Sequence, residues 1–206
     1  MPFLRRKLKR VAHNALPGSV TPTVQDALTV PSGIRDITFA APKSVSVLMA
    51  LLSPEDYGPG AVFTGHEAAL ADTLSWLDKE AAFARSGPAF LDCRGLNTTV
   101  VLHFASVSQQ PHIHAHVLVE PSVTGMDGRT YPVDWGTLDQ ALAAASSLYL
   151  AALRHNLVES LGVTWTRDHH ESEWQIVGIL DTLLAVWPDT TCAFPSIPQT
   201  LVVRQR

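Results

Sequence analysis

An α+β fold, a central antiparallel β-sheet covered on one face by long helices, is predicted by three features of the sequence. Several β-branched runs follow one another across short polar turns with no helix between them. Two long stretches carry apolar residues at helical spacing. No Gly-rich phosphate loop of the GxGxxG kind is present. Strands joined by turns pair antiparallel, whereas a doubly wound parallel sheet needs a helix between successive strands.

Taken in order, residues 1–33 combine a basic stretch, RRKLKR, with a segment rich in Pro, Thr, Ser and Gly, and read as a short helix followed by an irregular linker. IRDITFA (34–40) is β-branched and aromatic and predicts a strand, ended by Ala41-Pro42; KSVSVLMALL (43–52) then predicts a helix. SPEDYGPG (53–60) breaks it with two prolines and two glycines. From Thr64 to Arg85 the positions Ala68, Ala69, Leu70, Leu74, Leu77, Ala81 and Ala82 fall on one helical face, opposite Asp72, Asp78, Lys79 and Glu80.

VVLHFA (100–105) and the run ending in HIHAH (112–116) read as a hairpin across SVSQQP (106–111), and the MDGR turn inside 121–135 predicts another. Thr137 to Leu161 is a second long helix, with Thr137 as its cap and Gly162 just past its end. VTWT (163–166) and SEWQIVGI (172–179) are short strands around a polar RDHHE turn. Periodicity fades after Trp187. The organisation predicted is a basic segment and linker over 1–33, one domain over 34–187, and a poorly structured tail over 188–206.

Composition narrows the function classes. With 46% hydrophobic and 17% charged residues, the 206-residue chain can bury a full core. Its longest apolar stretch, VSVLMALL (45–52), is far shorter than the ~20 residues a membrane span needs, so no membrane insertion is expected. The five basic residues within positions 5–10 precede no long apolar region and do not form a secretory signal. Cys93 and Cys192 lack metal-site or disulfide spacing, and a reducing cytoplasm is the expected location. The net charge of −4 excludes a uniformly basic nucleic-acid binder but not a local positive groove.

The histidines carry the chemistry. Alternate residues of a strand share a face, so His112, His114 and His116 project together while Ile113 and Ala115 point into a core. If the hairpin loop is symmetric, His103 falls opposite His114 and diagonal to His116. Three imidazoles then converge within reach of one divalent ion, with His112 at the rim or as a spare ligand. Imidazole sets suit Zn, Mn, Fe, Ni or Cu, and the cofactor expected is a divalent ion such as Mg, Mn or Zn. Three ligands leave positions open for substrate.

The strings DITFAAPKSVSVL (36–48), HFASVSQQPHIHAH (103–116) and YLAALRHNLVESLGVTW (149–165), in that order, resemble the TrwC/TraI-type conjugative relaxases, the MobF group of HUH endonucleases. That family reads Asp-Leu-Thr-Phe-Ser-Ala-Pro-Lys-Ser in the first segment, then His followed by Pro-x-Leu-His-Thr-His in the second. The resemblance covers about residues 34–180. It implies that His103, His114 and His116 are metal ligands and that Asp36 is the catalytic acidic residue that assists a tyrosine nucleophile and orients a ligand histidine. Asp36 also needs a partner on physical grounds, because it stands within an apolar strand. Lys43 and Ser44 fall at a helix start, where N–H groups and a cation hold a DNA phosphate, or where the residues simply cap the helix.

The resemblance further implies a partner, single-stranded DNA at a transfer origin, together with other conjugation proteins. It also implies covalent cleavage, in which an N-terminal tyrosine attacks a phosphodiester to leave a 5′-phosphotyrosine and a free 3′-OH. Here the sequence departs from the family: its tyrosines are Tyr57, Tyr131 and Tyr149, all after Asp36. The nucleophile is left unassigned. The expectation is a relaxase-like domain, shortened at its N-terminus, that binds metal and single-stranded DNA but lacks the tyrosine for nicking. The alternatives are a noncatalytic DNA-binding or regulatory module and a water-activating, metal-dependent phosphodiesterase.

Overall fold

The computed structural model describes residues 32–52, 57–106, 110–167, 174–179, 181–186 and 201–204. Its first strand, β1 (Arg35–Ala40), leads through Ala41-Pro42 into helix α1 (Lys43–Leu51), and helix α2 (Tyr57–Glu80) follows. A hairpin of β2 (Phe83–Ser86) and β3 (Ala89–Asp92) precedes the long strands β4 (Thr98–Ala105) and β5 (Pro111–Val119). A second hairpin, β6 (Ser122–Thr124) and β7 (Thr130–Pro132), leads to helix α3 (Trp135–Leu161). Beyond it lie β8 (Trp165–Thr166), β9 (Gln175–Ile176), helix α4 (Asp181–Val186) and β10 (Leu201–Arg204). The central sheet runs β1-β5-β4-β10, antiparallel throughout.

Period-two alternation divides this sheet into two chemically distinct faces. Ile37 and Phe39 of β1, Val100 and Leu102 of β4, and Ile113, Ala115 and Val117 of β5 point to one side, where they join the buried core. Helices α2 and α3 supply the rest of that core with Leu70, Leu74, Leu77, Leu138, Leu153 and Leu157, all essentially inaccessible. Burying each such leucine contributes roughly 1.5–3 kcal/mol. The opposite side carries Asp36, Thr38, His103, His114 and His116, so the fold class is the α+β arrangement the patterning predicts. Among the described residues, no helix is long and apolar enough to cross a membrane.

Four local readings change. Helix α2 begins at Tyr57 and takes in the Gly-Pro-Gly that the sequence marked as a breaker. Pro59 is its third residue, in the first turn, where a missing N–H costs nothing. The same helix stops at Glu80 rather than Arg85, because Ala81 and Ala82, although buried, lead into β2 and a Gly87-Pro88 turn with Gly87 at φ 60°.

The cap of α3 is Asp134, not Thr137. Asp134 has extended backbone angles (φ −79°, ψ 91°), and its carboxylate accepts the Thr137 N–H at 3.2 Å. Gly162 closes the helix as expected, left-handed at φ 66° with its N–H donated to Val158. In the expected tail, Leu201–Arg204 forms a strand that pairs antiparallel with the edge of β4, Leu201 in register with Leu102 and Arg204 with Thr99. The expected N-terminal segment up to residue 31, the loop over 107–109, residues 168–173 with most of the RDHHE turn, and residues 187–200 lie outside the described residues.

Candidate metal centre

β4 and β5 bring the histidines together by register alone. His103 pairs directly with His114, and the next same-face pair is Val101 with His116, which places His116 diagonal to His103. The rings of His103 and His114 stack at 4.9 Å with 12° between their planes, while His116 meets them nearly edge-on at 5.1 Å from each. One ring nitrogen from each residue lies within 4.8 Å of the other two. His103 and His116 are buried and His114 is half-buried, so the cluster opens on the His114 side.

Neighbouring acceptors fix which nitrogens point inward. Both oxygens of Asp36 approach Nδ1 of His116, at 2.8 and 3.0 Å, with Thr38 Oγ1 at 3.3 Å. The backbone carbonyl of His112 lies 3.0 Å from Nδ1 of His114. A carbonyl only accepts, so His114 Nδ1 carries a proton and Nε2 keeps its lone pair. The Asp36 carboxylate sets the same tautomer at His116. Burial, reinforced by the neighbouring imidazoles, pulls the His114 ring down to about 3, so at neutral pH it is uncharged, the form a metal ligand needs. Three convergent imidazoles, two of them with an outer nitrogen engaged, fit a transition-metal cation, and a three-nitrogen set leaves coordination positions for oxygen ligands.

The end of β5 that carries this cluster is braced by α1. Past Ala40, the β1 chain gives one more ladder bond, from Ala41 N–H to Ile113 O at 2.9 Å. Ser46 Oγ of α1 accepts the Ile113 N–H at 3.0 Å, and Lys43 Nζ donates to Pro111 O at 3.1 Å. Sequence reasoning missed Thr38 and Ser46; Thr38 was discoverable, as it shares the face of Asp36 two residues on.

Lys43 and Ser44, expected either to meet a DNA phosphate or to cap α1, make contacts within the fold. Ser44 is fully buried; its N–H donates to Gln175 Oε1 and its hydroxyl accepts from Ile176 N–H, tying α1 to β9. Lys43 is 8% exposed and engaged with β5. Lys43 thus braces the central sheet and Ser44 the contact of α1 with the β8–β9 pair.

The tyrosines divide as follows. Tyr149 is buried in the helical core, hydrogen-bonded to His66 Nδ1 at 2.8 Å, and burial raises its phenol well above the ordinary value. Tyr131 donates to Asp127 at 2.7 Å on the β6–β7 hairpin. Tyr57 is 82% exposed at the start of α2.

An antiparallel sheet with one face sealed by helices and an imidazole cluster on the other defines an α+β domain whose three histidines could hold a metal ion. The chain belongs to the TrwC relaxase family, whose model matches residues 7–188. That match reaches well into the N-terminal segment, beyond the motifs that first carried the resemblance. Among solved structures, the conjugative relaxase TrwC in complex with oriT DNA, in its metal-free form, is 24% identical with a TM-score of 0.63, covering 74% of this chain and 52% of that one. The metal-bound form of that complex is 24% identical with a TM-score of 0.62, covering 74% and 51%. A copper-bound form is 26% identical with a TM-score of 0.58, covering 68% and 47%. The chain thus spans about half the length of the solved relaxases it matches. No curated protein matches it.

Proposed function

We propose that this domain holds a divalent cation on His103, His114 and His116 and presents it to single-stranded DNA at a transfer origin, in the manner of a conjugative relaxase. The observation that carries the reading is the imidazole cluster with Asp36 behind His116, set on the face of the sheet that the helical core leaves uncovered. Support also comes from the family membership and from the DNA-bound and metal-bound states of the related relaxases. A nitrogen donor set favours Mn, Zn or Cu over Mg, which takes oxygen ligands.

Held on His103, His114 and His116, a cation would supply Lewis-acid polarisation of a nonbridging phosphate oxygen and would offset charge developing there during cleavage. The protein's own contribution is positional. Asp36 and the His112 carbonyl hold two rings in the ligating tautomer, and the α1 braces keep the β5 end from fraying. Asp36 is the positioning carboxylate in this scheme, and its engagement with His116 disfavours a role as base for a water nucleophile. The setting proposed is the cytoplasm, alongside other conjugation proteins.

Incubation with supercoiled transfer-origin plasmid and Mn(II) tests the reading. A protein-linked nick that His114→Ala abolishes establishes relaxase chemistry. Salt-sensitive binding of single-stranded DNA without an adduct establishes the second reading, a noncatalytic DNA-binding module. A nick with no adduct establishes a hydrolase, and absence of both metal and DNA binding overturns the proposal.

A further inference from the structure

We propose that Arg5, Arg6, Lys7, Lys9 and Arg10 form the arm that grips the DNA backbone, supplying the phosphate-neutralising charge that the histidine face of the sheet does not carry. This rests on the reading of the domain as a binder of single-stranded DNA.

By register, β1 sets Asp36, Thr38 and Ala40 on the histidine face, β5 adds Leu118 to its histidines, and β4 adds Thr99 and Val101 to His103. None of these is a lysine or arginine, and the one fixed charge among them is the carboxylate of Asp36. The two cations nearest to Asp36 in the chain are engaged within the fold. Arg35 is held by Asp139 and lies 4.7 Å from the Trp135 ring, while Lys43 is buried with its ammonium on the Pro111 carbonyl. A metal ion on the imidazoles can meet one phosphate. The phosphates that flank it find no cation on these three strands.

The charge lies elsewhere in the chain. Fifteen Lys and Arg stand against nineteen Asp and Glu, and residues 1–31 hold five of the bases but only one acid, Asp26. Residues 32–206 therefore keep ten bases against eighteen acids, a net charge of −8. Salt confines repulsion to about 8–10 Å, so acids far from the cluster do not bar DNA, but they offer it no attraction. Sequence-independent affinity for nucleic acid comes almost wholly from neutralised phosphates. Residues 5–10 concentrate five bases in six positions with no acid among them, the pattern of a nucleic-acid-binding arm.

Connectivity brings that arm to the site. β1 starts at Arg35, one residue before Asp36, so the chain leading from the basic stretch enters the fold on the strand that flanks the cluster. Twenty-four residues separate Arg10 from Arg35. Such a length spans about 80 Å fully extended and about 36 Å as a helix, so either form reaches across the histidine face.

Fluorescence anisotropy of labelled oligothymidylate, titrated with the full chain and Mn(II) between about 0.05 and 0.2 M NaCl, reads the number of neutralised phosphates. Replacing all five bases by Gln is expected to flatten the slope of log affinity against log salt by about 2–3.5, at about 0.7 per phosphate, and to weaken binding about a hundredfold or more at 0.1 M. Arg5→Lys, Arg6→Lys and Arg10→Lys together keep the charge and are expected to keep the slope. Mn(II) affinity and melting temperature should match the parent's in both variants, which checks the cluster and the fold. A slope that moves by less than about one in the Gln variant overturns the arm and leaves the metal-and-DNA reading standing. Loss of binding to phosphatidylglycerol vesicles with the DNA slope unchanged assigns the stretch to a lipid surface and likewise overturns it. A parent that binds no oligothymidylate at any salt overturns the DNA reading itself, and the arm with it.

Discussion

Asp36 pairs across the sheet with Leu118, yet its carboxylate reaches diagonally to His116, placing both oxygens within 3.0 Å of Nδ1. The strand that supplies no histidine thus decides which nitrogen of His116 points into the cluster. A carboxylate behind an imidazole raises its basicity and locks its ring, the outer support that metal centres recruit.

Replacing that carboxylate while keeping its shape isolates the effect. Asp36→Asn is expected to weaken Mn(II) or Zn(II) binding by about 10–100-fold in calorimetric titration, with little change in the metal-free melting temperature. An affinity within about twofold of the parent's would remove Asp36 from the centre's design.

Metal should stabilise the fold by mass action. At a free concentration of about 100 Kd the gain is about 2.7 kcal/mol, or roughly 5–10 °C in Tm for a domain of this size. Excess EDTA should reverse the rise and His114→Ala should abolish it. A rise that persists in His114→Ala would place the cation elsewhere.

Acid should destabilise the protein through His66. This ring is fully buried between α2 and α3 beside Tyr149, and burial lowers its pKa from 6.5 to about 4. Between those values the unfolded chain takes up a proton that the folded chain refuses. The stability contribution is complete above about pH 6.5 and declines as pH falls toward 4, by on the order of 3 kcal/mol. Urea midpoints from pH 7 to 4.5 should show this slope, and His66→Gln should flatten it. An unchanged slope in that variant would assign the acid sensitivity to other groups.

Helix α3 and the β2–β3 hairpin meet at Asp134, which accepts from both the N–H and the hydroxyl of Thr137 and faces Arg85 at 3.3 Å. The Thr137 hydroxyl, foremost, holds the carboxyl below the usual carboxylate range. Asp134→Ala should cost about 1–2 kcal/mol in chemical denaturation, as loss of an N-cap does. A change under about 0.3 kcal/mol would mean that water replaces the cap without penalty.

The histidine cluster was legible because a period of two is simple arithmetic. HIHAH assigns three rings to one face, and a symmetric turn then sets His103 opposite His114, as the register bears out. Asp36 stood out as a charge in an apolar strand. The end of α2 was not legible, because Ala81 and Ala82 satisfy helical spacing and burial alike, and alanine does not mark where a chain departs from its axis. The bracing by Ser44, Ser46 and Gln175 was equally hidden, for it depends on contacts between α1 and strands remote in sequence.

Because the aliphatic core and the imidazoles alternate along β5, one residue inserted or deleted in the β4–β5 turn cannot be absorbed by sliding the strand. Such a slip would drive His114 into the oily interior and lift Ile113 and Ala115 into water. Ligand geometry and folding are therefore inherited as a unit in this hairpin. The register shift between His103 and Ala105 already takes up one odd residue on the turn side, so a change of turn length is admissible where that irregularity, and not the pairing of His103 with His114, absorbs it.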